Sequence, residues 1–214
     1  MDWKKECLKN FRLYAITDLR TADRRVLDRI RGAFRGGVDI LQLRSKALPD
    51  RTLLDLGTKI RPLARKFGRL FIVNDRIDLM LALEADGVHL GQDDLPIECA
   101  RRIIGNRSKL IGCSTHNLKQ ALEAERKGAD YIGFGPIFQT PTKPDYRPVG
   151  LRAIREVARR VRIPVVCIGG IDRSNIQEVV RAGAKRIAVV RAVFSAPDSY
   201  QAAFELRRLL KAVS

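Results

Sequence analysis

The sequence predicts an α/β protein built as a single (β/α)8 barrel, the TIM barrel, over residues 1–214. Short β-branched runs alternate with amphipathic helical stretches along the whole chain, which is the pattern of parallel strands joined by helices. This pattern repeats eight times and gives about 27 residues per unit, which is compact for a fold of usually about 250 residues. An open doubly wound sheet is less favoured because no G-x-G-x-x-G follows the first strand.

The predicted elements follow one another without a linker or a low-complexity segment. The strands cover residues 13–17, 40–44, 70–74, 87–90, 110–114, 131–135, 165–169 and 186–190. The helices lie near residues 23–35, 50–66, 77–84, 97–104, 118–127, 150–161, 174–182 and 198–211. Asp50, Asn117 and Ser174 are predicted N-caps of the helices beside them. Four glycines stand where helices are expected to end, namely Gly68, Gly105, Gly128 and Gly183.

The formal net charge of +17 allows two interpretations, attraction to polyanions such as nucleic acid or a solvated surface around a site for small anions. The arginine pairs at 24–25, 101–102 and 159–160 lie in separate helical segments, with few aromatic residues between them to stack on bases. We therefore expect small phosphorylated molecules, and no nucleic acid, as binding partners.

Apolar runs and cysteines indicate the compartment. No apolar run approaches the roughly 18 residues of a membrane helix, and the first seven residues lack the apolar core of a secretory signal. The four cysteines are scattered without C-x-x-C spacing, which predicts neither a disulfide framework nor a zinc site. We expect a soluble, cytoplasmic protein with reduced thiols and no membrane partner.

Strand 2 ends in a charged pattern at the edge where barrels of this kind carry their active sites. Gln42, Arg44 and Lys46 have a period of two, so all three point to the same side of the chain. An arginine fork beside a lysine suits a diphosphate, because the fork binds oxygens in pairs and the ammonium group adds a point charge. The alternative is a solvated edge, but inward-facing charge is costly unless it is used.

Carboxylates follow strands 3 and 4. Asp75 ends strand 3, and Asp93 and Asp94 end strand 4. Neighbouring strands lie about 4.8 Å apart, so Asp75 and one of the other two could share a cation. Mg²⁺ fits, because it takes oxygen ligands and typically uses one or two carboxylates plus substrate phosphates. Alternatively, Asp75 and Asp94 are helix N-caps, and Asp93 is merely solvated.

Strands 4 and 5 add polar side chains that could face a substrate. His89 fits a hydrogen-bonded core histidine and a catalyst equally well. Ser114 could orient a heterocycle through its hydroxyl, and we favour it over His116, which also fits ordinary turn chemistry.

The loop after strand 6 is polar and stiffened by prolines. It supplies Thr140, Thr142 and Lys143 and could close over a substrate, although a plain surface loop has a similar composition.

The ends of strands 7 and 8 form the usual phosphate site of this fold. Strand 7 ends in Gly169 and Gly170, which let backbone N–H groups approach an anion or, alternatively, form a plain tight turn. Strand 8 ends in Val190 and Arg191. With strands 2 to 4, this predicts separate sites for two anionic substrates.

The chain resembles thiamine phosphate synthases along nearly its whole length. The resembling segments, in order, are YAITD, QLRSK, FIVNDRIDLMLALEADGVHLGQDDLP, IGCSTHN, GADYIGFGPIFQTPTK, PVGL, CIGGI and AGAKRIAVVRA. The resemblance implies a transferase of thiamine biosynthesis that joins 4-amino-2-methyl-5-(diphosphooxymethyl)pyrimidine to a thiazole (carboxy)ethyl phosphate and releases pyrophosphate. It also implies dissociative, Mg²⁺-assisted chemistry, in which pyrophosphate departs and the thiazole nitrogen captures a pyrimidine cation.

The resemblance further implies the roles of individual residues. The pyrimidine diphosphate would be held by Gln42, Arg44, Lys46, Asn74, Ser114 and Lys143, of which Lys143, Ser114 and Arg44 would be catalytic. One Mg²⁺ per active site would bind Asp75 and Asp94. The thiazole phosphate would lie near Thr140, Thr142, Gly170, Val190 and Arg191.

Two residues depart from the pattern of the family. Arg191 stands in the thiazole phosphate pocket where the family usually has Ser, and it could bind the phosphate or narrow the pocket. Ser45 replaces an acidic residue of strand 2, and we expect little effect because alternation points it away from the barrel interior.

Two other functions stay open. A thiazole tautomerase of the same fold would have no reason to keep the diphosphate and metal residues, and His116 would be its candidate residue. A catalytically inactive sensor of thiazole or thiamine phosphates would bind ligand without turnover because of Arg191. A homodimer is also compatible with the sequence.

Overall fold

A computed structural model describes residues 3–20, 23, 25–140 and 147–211 of the protein. Its eight strands are all parallel and close into a barrel in chain order, which confirms the predicted (β/α)8 fold. The strands are β1 Leu13–Ile16, β2 Ile40–Leu43, β3 Leu70–Asn74, β4 Gly87–Leu90, β5 Leu110–Thr115, β6 Tyr131–Phe134, β7 Val165–Ile168 and β8 Ile187–Val189.

Several strands end a residue earlier than predicted, although their pairing continues a little further. The N–H of Thr17 still donates to the carbonyl of Gln42 at 3.0 Å, beyond the end of β1. The N–H of Leu19 likewise donates to the carbonyl of Arg44 at 3.3 Å. The chain thus leaves the barrel gradually at this edge, where the predicted site residues lie.

Each predicted helix is present, and two short ones were not predicted. The helices are α1 Trp3–Asn10, α2 Val26–Arg35, α3 Asp50–Lys66, α4 Ile77–Ala82, α5 Ile97–Ile104, α6 Leu118–Arg126, α7 Gly150–Arg160, α8 Ile176–Arg181, α9 Arg191–Phe194 and α10 Ser199–Lys211. The additional helices are α1, which precedes the first strand, and α9, which begins at Arg191. Helix α1 contributes Leu8 to a buried cluster with Phe11 and Tyr14.

The predicted helix ends are mostly right, and two predicted N-caps are wrong. The side chain of Asn117 accepts a hydrogen bond from the N–H of Gln120 and caps α6 as predicted. Asp50 is instead the first residue of α3 and pairs with Arg76 at 2.6 Å. Ser174 donates to Asp172 at 2.6 Å and lies two residues before α8, whose N-cap position is Asn175. The four glycines predicted at helix ends all have positive φ, namely Gly68, Gly105, Gly128 and Gly183.

The core divides into two layers because side chains alternate across each strand. The larger layer packs the outer faces of the strands against the helices. The smaller layer lies inside the barrel and includes Tyr14, Ile40, Ile72 and Tyr131. The polar residues Gln42 and Asn74 share the inward face with Ile40 and Ile72 and lie nearer the carboxyl ends of the strands. This alternation places the candidate site residues Gln42 and Asn74 at the mouth of the barrel.

Two of the four cysteines are buried in the core. All four cysteines are free, and burial raises the pKa of Cys113 to about 11 and that of Cys167 to about 12. These two thiols therefore stay protonated and act as packing groups. Within the described ranges, no helix has the length and apolar character needed to cross a membrane.

Candidate active site

A cavity of about 640 Å³ opens at the carboxyl ends of the strands. It brings together the predicted residues of both substrate sites that fall in the described part of the chain, namely Gln42, Arg44, Lys46, Asn74, Asp75, Asp94, Ser114, Thr140, Gly170, Val190 and Arg191. The predictions for Thr142 and Lys143 lie outside the described residues. The volume suits small molecules, since ligand pockets commonly measure about 300 to 1,000 Å³.

The cationic side of the cavity is built on β2. Gln42 and Arg44 are buried, with Arg44 only 8% exposed, whereas Lys46 is exposed at the rim. The guanidinium of Arg44 forms an ion pair with Asp18, and the backbone N–H of Arg44 donates to the hydroxyl of Thr17 at 2.8 Å. The sequence thus places a buried, ion-paired guanidinium near an exposed ammonium group, two cationic groups that suit the binding of an anion.

Two carboxylates meet beside this cationic side, after β3 and β4, and β3 is the neighbour of β2 in the barrel. Asp75 lies close enough to Asp94 to share a hydrogen bond with it. Burial, the contact with Asp94 and the charge of Asp94 raise the pKa of Asp75 to about 6, against the opposing charge of Arg44. The backbone of Asp75 has φ 60°, and its N–H donates to the carbonyl of His89 at 2.8 Å. An unfavourable backbone conformation next to a pair of mutually repelling carboxylates is typical of a functional site.

The interpretation of these aspartates as helix caps is wrong. The N-cap position before α4 is Arg76, and neither it nor Pro96 before α5 makes a side-chain capping bond. Asp94 instead accepts a hydrogen bond from the N–H of Gly91 at 2.6 Å, which turns its carboxylate toward Asp75. Asp93 is exposed at the cavity rim.

The carboxylate pair fits a Mg²⁺ ion. The part of the chain that the structure describes holds no group of three or more His, Cys, Asp or Glu side chains suited to a metal. Two carboxylates in contact are nevertheless a usual protein contribution to Mg²⁺, which takes its remaining ligands from water and substrate phosphates. A cation between Asp75 and Asp94 would also relieve the repulsion that raises the pKa of Asp75.

Ser114 ends a row of hydrogen bonds across the barrel interior. Its hydroxyl lies 3.0 Å from Nε2 of His89, and Nδ1 of His89 lies 3.2 Å from the hydroxyl of Tyr131. The hydroxyls of Tyr131 and Tyr14 are 2.9 Å apart, and Nε2 of Gln42 donates to Tyr14 at 2.8 Å. His89 is therefore hydrogen-bonded inside the barrel, one of the two alternatives left open by the sequence, and it also lines the cavity.

A glycine in β5 makes room for this row. Gly112 is paired with His89 on one side and with Tyr131 on the other. A Cβ atom at Gly112 would lie 2.2 Å from Cζ of Tyr131 and 2.5 Å from Nδ1 of His89. Only glycine therefore permits the two rings to meet at this level of the barrel.

The opposite side of the cavity is formed by close packing of the loops after β6 and β7. The N–H of Phe138 donates to the carbonyl of Gly169 at 3.0 Å. Gly169 and Gly170 have φ of 101° and 64°, and a Cβ atom at Gly170 would lie 2.7 Å from the carbonyl oxygen of Gln139. Asn175 donates to the carbonyl of Gly170 at 2.8 Å. The paired glycines are required here by both backbone conformation and space.

Thr140, Val190 and Arg191 complete this side. Thr140 and Val190 are half-buried, and Arg191 is exposed as the first residue of α9. His116 also lines the cavity, and its Nδ1 lies 2.5 Å from the carbonyl oxygen of Gly135.

Sequence reasoning missed three residues that support the site. Asp18 pairs with Arg44, while Tyr14 and Tyr131 carry the row of hydrogen bonds to His89. Tyr14 and Asp18 lie in the segment YAITD, so the polar end of that strand was a usable signal. Tyr131 resembles an ordinary core aromatic, and no local pattern distinguishes it.

Comparison with known proteins identifies the family. The family described as "Thiamine monophosphate synthase" matches residues 13–193. The chain belongs to the thiamine monophosphate synthase family. A thiamine-phosphate synthase of Chloroflexus aurantiacus is 48% identical over 205 residues, covering 94% of this chain and 93% of that protein. One from Pyrococcus furiosus is 45% identical over 202 residues, covering 94% and 96%.

A solved structure extends the similarity to three dimensions. The structure titled thiamine phosphate pyrophosphorylase from Pyrococcus furiosus has a TM-score of 0.88 and 42% identity, and the similarity covers 98% of each chain. This member of the thiamine monophosphate synthase family is accordingly an enzyme of the transferase class.

Proposed function

We propose that this chain is a thiamine phosphate synthase that joins 4-amino-2-methyl-5-(diphosphooxymethyl)pyrimidine to a thiazole (carboxy)ethyl phosphate and releases pyrophosphate. The single observation that supports it best is a cavity with cationic residues at the end of β2, a carboxylate pair beside them after β3 and β4, and a glycine-lined loop on the far side. We propose that residues 1–214 act as one domain, and that the protein works in the cytoplasm, where its four free cysteines would stay reduced.

The diphosphate would bind between Arg44 and Lys46, with Lys143 added from the loop after β6. Arg44 supports this role because its guanidinium is buried and already oriented by Asp18. When bound at Asp75 and Asp94, Mg²⁺ would supply charge neutralisation to the diphosphate oxygens.

Ser114, Gln42 and Asn74 would position the pyrimidine ring at the centre of the mouth. Ser114 and Gln42 are linked through the barrel interior, which fixes their relative positions. The C–O bond to the diphosphate would then break before the new C–N bond forms, with the ring amino group supplying electron density. The chain would contribute positioning and charge stabilisation and no covalent nucleophile.

The thiazole phosphate would lie against Thr140, Thr142, Gly170, Val190 and Arg191. The backbone around Gly170 supports an anion site, because glycine lets backbone N–H groups approach a phosphate closely. The thiazole nitrogen would then face the exocyclic methylene carbon of the pyrimidine substrate, from which the diphosphate departs.

The decisive experiment measures pyrophosphate release and thiamine phosphate formation by the purified protein. The pyrimidine diphosphate, the thiazole phosphate and Mg²⁺ are supplied together and then omitted one at a time. We expect thiamine phosphate only when all three are present. Binding of the thiazole phosphate by folded protein without pyrophosphate release would contradict the proposal and favour the tautomerase or the sensor.

A further inference from the structure

The row of hydrogen bonds from Gln42 to Ser114 has a direction that follows from its donors and acceptors. An amide nitrogen such as Nε2 of Gln42 can only donate, so the Tyr14 hydroxyl accepts at that contact. Tyr14 and Tyr131 are fully buried, and burial raises the pKa of both phenols far above neutrality. Each hydroxyl therefore keeps one proton to donate.

The proton of Tyr14 has one acceptor within the described chain, the hydroxyl of Tyr131 at 2.9 Å. If Tyr131 donated to Tyr14 instead, the proton of Tyr14 would be buried without an acceptor, which is costly. Tyr14 thus donates to Tyr131, and Tyr131 donates its own proton to Nδ1 of His89 at 3.2 Å.

An imidazole nitrogen that accepts a hydrogen bond cannot carry a proton, so neutral His89 carries its proton on Nε2. This Nε2–H points to the hydroxyl oxygen of Ser114 at 3.0 Å. The Ser114 oxygen is then an acceptor toward His89, and its own proton is directed into the cavity.

We propose that Tyr14 and Tyr131 are positioning residues that hold His89 in the Nε2–H tautomer and thereby commit the Ser114 hydroxyl to donate to a ring nitrogen of the pyrimidine substrate. The identity of that acceptor rests on the proposed function, whereas the tautomer of His89 does not. Gly112 supports the assignment, since it leaves the space that the contact between His89 and Tyr131 needs.

The tautomer can be measured directly in the substrate-free protein. The chain has two histidines, so ring-15N labelling gives two imidazole spectra, and His116→Gln assigns them. At a pH where His89 is neutral, we expect a protonated, pyrrole-type Nε2 and an unprotonated, pyridine-type Nδ1. A protonated Nδ1 in the wild-type protein overturns the inference, and no variant has to fold for that result.

A matched pair of variants distinguishes the direction of hydrogen-bond donation along the row from the general effect of removing a buried hydroxyl. Tyr14→Phe and Tyr131→Phe each remove one buried hydroxyl from the same row, but only Tyr131→Phe removes the donor to His89. We expect Tyr14→Phe to keep the Nε2–H tautomer and Tyr131→Phe to give a mixture. Retention of one tautomer in both variants, or its loss in both, overturns the inference.

Kinetics supply the functional readout. We expect Tyr131→Phe to lower kcat about tenfold, the effect of roughly one lost hydrogen bond, with the KM for the pyrimidine diphosphate changed less than about twofold. The KM is expected to change little because Tyr131→Phe leaves the side chains of Gln42 and Ser114 in place, and the proposed diphosphate contacts of Arg44 and Lys46 lie outside the row. An unchanged kcat in Tyr131→Phe overturns the inference. A protonated Nδ1 in wild-type protein that makes thiamine phosphate overturns it while leaving the proposed function intact.

Discussion

Replacing Asp75 by Asn should stabilise the metal-free protein at neutral pH. The pKa of Asp75 rises from its ordinary value of 3.8 to about 6 through burial and the neighbouring Asp94. For a desolvated group this rise would correspond to about 3 kcal/mol. Asp75 is only partly buried and keeps contact with solvent at the cavity mouth, so solvent screening reduces the expected gain to about 1 kcal/mol, or about 2 to 4 °C in Tm.

The sign of the effect depends on pH. A raised pKa in the folded state means that protonated Asp75 favours folding. That stabilisation is complete below pH 3.8 and is lost as the pH rises through about 6. Asn cannot ionise, so the advantage of Asp75→Asn should be small near pH 4 and full near pH 8.

Thermal unfolding with and without Mg²⁺ tests whether the charge of Asp75 destabilises the folded protein and whether Asp75 binds Mg²⁺. Mg²⁺ should raise the Tm of the wild-type protein, because a ligand that binds only the folded state stabilises it, and should have little effect on Asp75→Asn. Asp93→Asn is the matched control, since Asp93 is an exposed carboxylate of the same cavity. The reasoning would be refuted by equal Tm values for Asp75→Asn and wild type at pH 8, or by equal stabilisation by Mg²⁺.

Three further substitutions test other parts of the site. Asp18→Asn should lower the free energy of unfolding by about 1 kcal/mol, because buried Arg44 loses its partner, and Mg²⁺ with pyrophosphate should restore the loss in thermal melts. Gly170→Ala should cost about 3 kcal/mol in chemical denaturation, against about 1 kcal/mol for Gly105→Ala, which has the same φ of 64° but open space around its Cβ position. Arg191→Ser should raise the KM for the thiazole phosphate roughly tenfold with little change in kcat, and an unaltered KM would remove Arg191 from the site.

The barrel and the placement of its site could be predicted because both follow from local patterns. Eight alternations of strand and helix specify a closed parallel barrel, and the carboxyl ends of its strands carry the polar residues. Alternation along β2 correctly grouped Gln42, Arg44 and Lys46 on the cavity side.

What could not be predicted depends on contacts between distant segments. The hydroxyls of Tyr14 and Tyr131 meet across 117 positions of sequence, and either residue alone resembles an apolar core position. The choice of Asp94 over Asp93 as the partner of Asp75 likewise depends on the turn made at Gly91. The roles of Thr142 and Lys143 stay predictions that rest on the resemblance.

The lack of a side chain at Gly112 couples the choice of residue at two positions, because the ring of Tyr131 occupies the space that a Cβ atom would need. A residue with a side chain at 112 would collide with Tyr131 and His89, so a larger residue there becomes tolerable only after the aromatic ring at 131 has shrunk. The two positions should therefore covary among relatives, with glycine at 112 accompanying an aromatic residue at 131. In a relative without the tyrosine, glycine at 112 would no longer be required. A β-branched residue, which strands ordinarily favour, could then stand at that position.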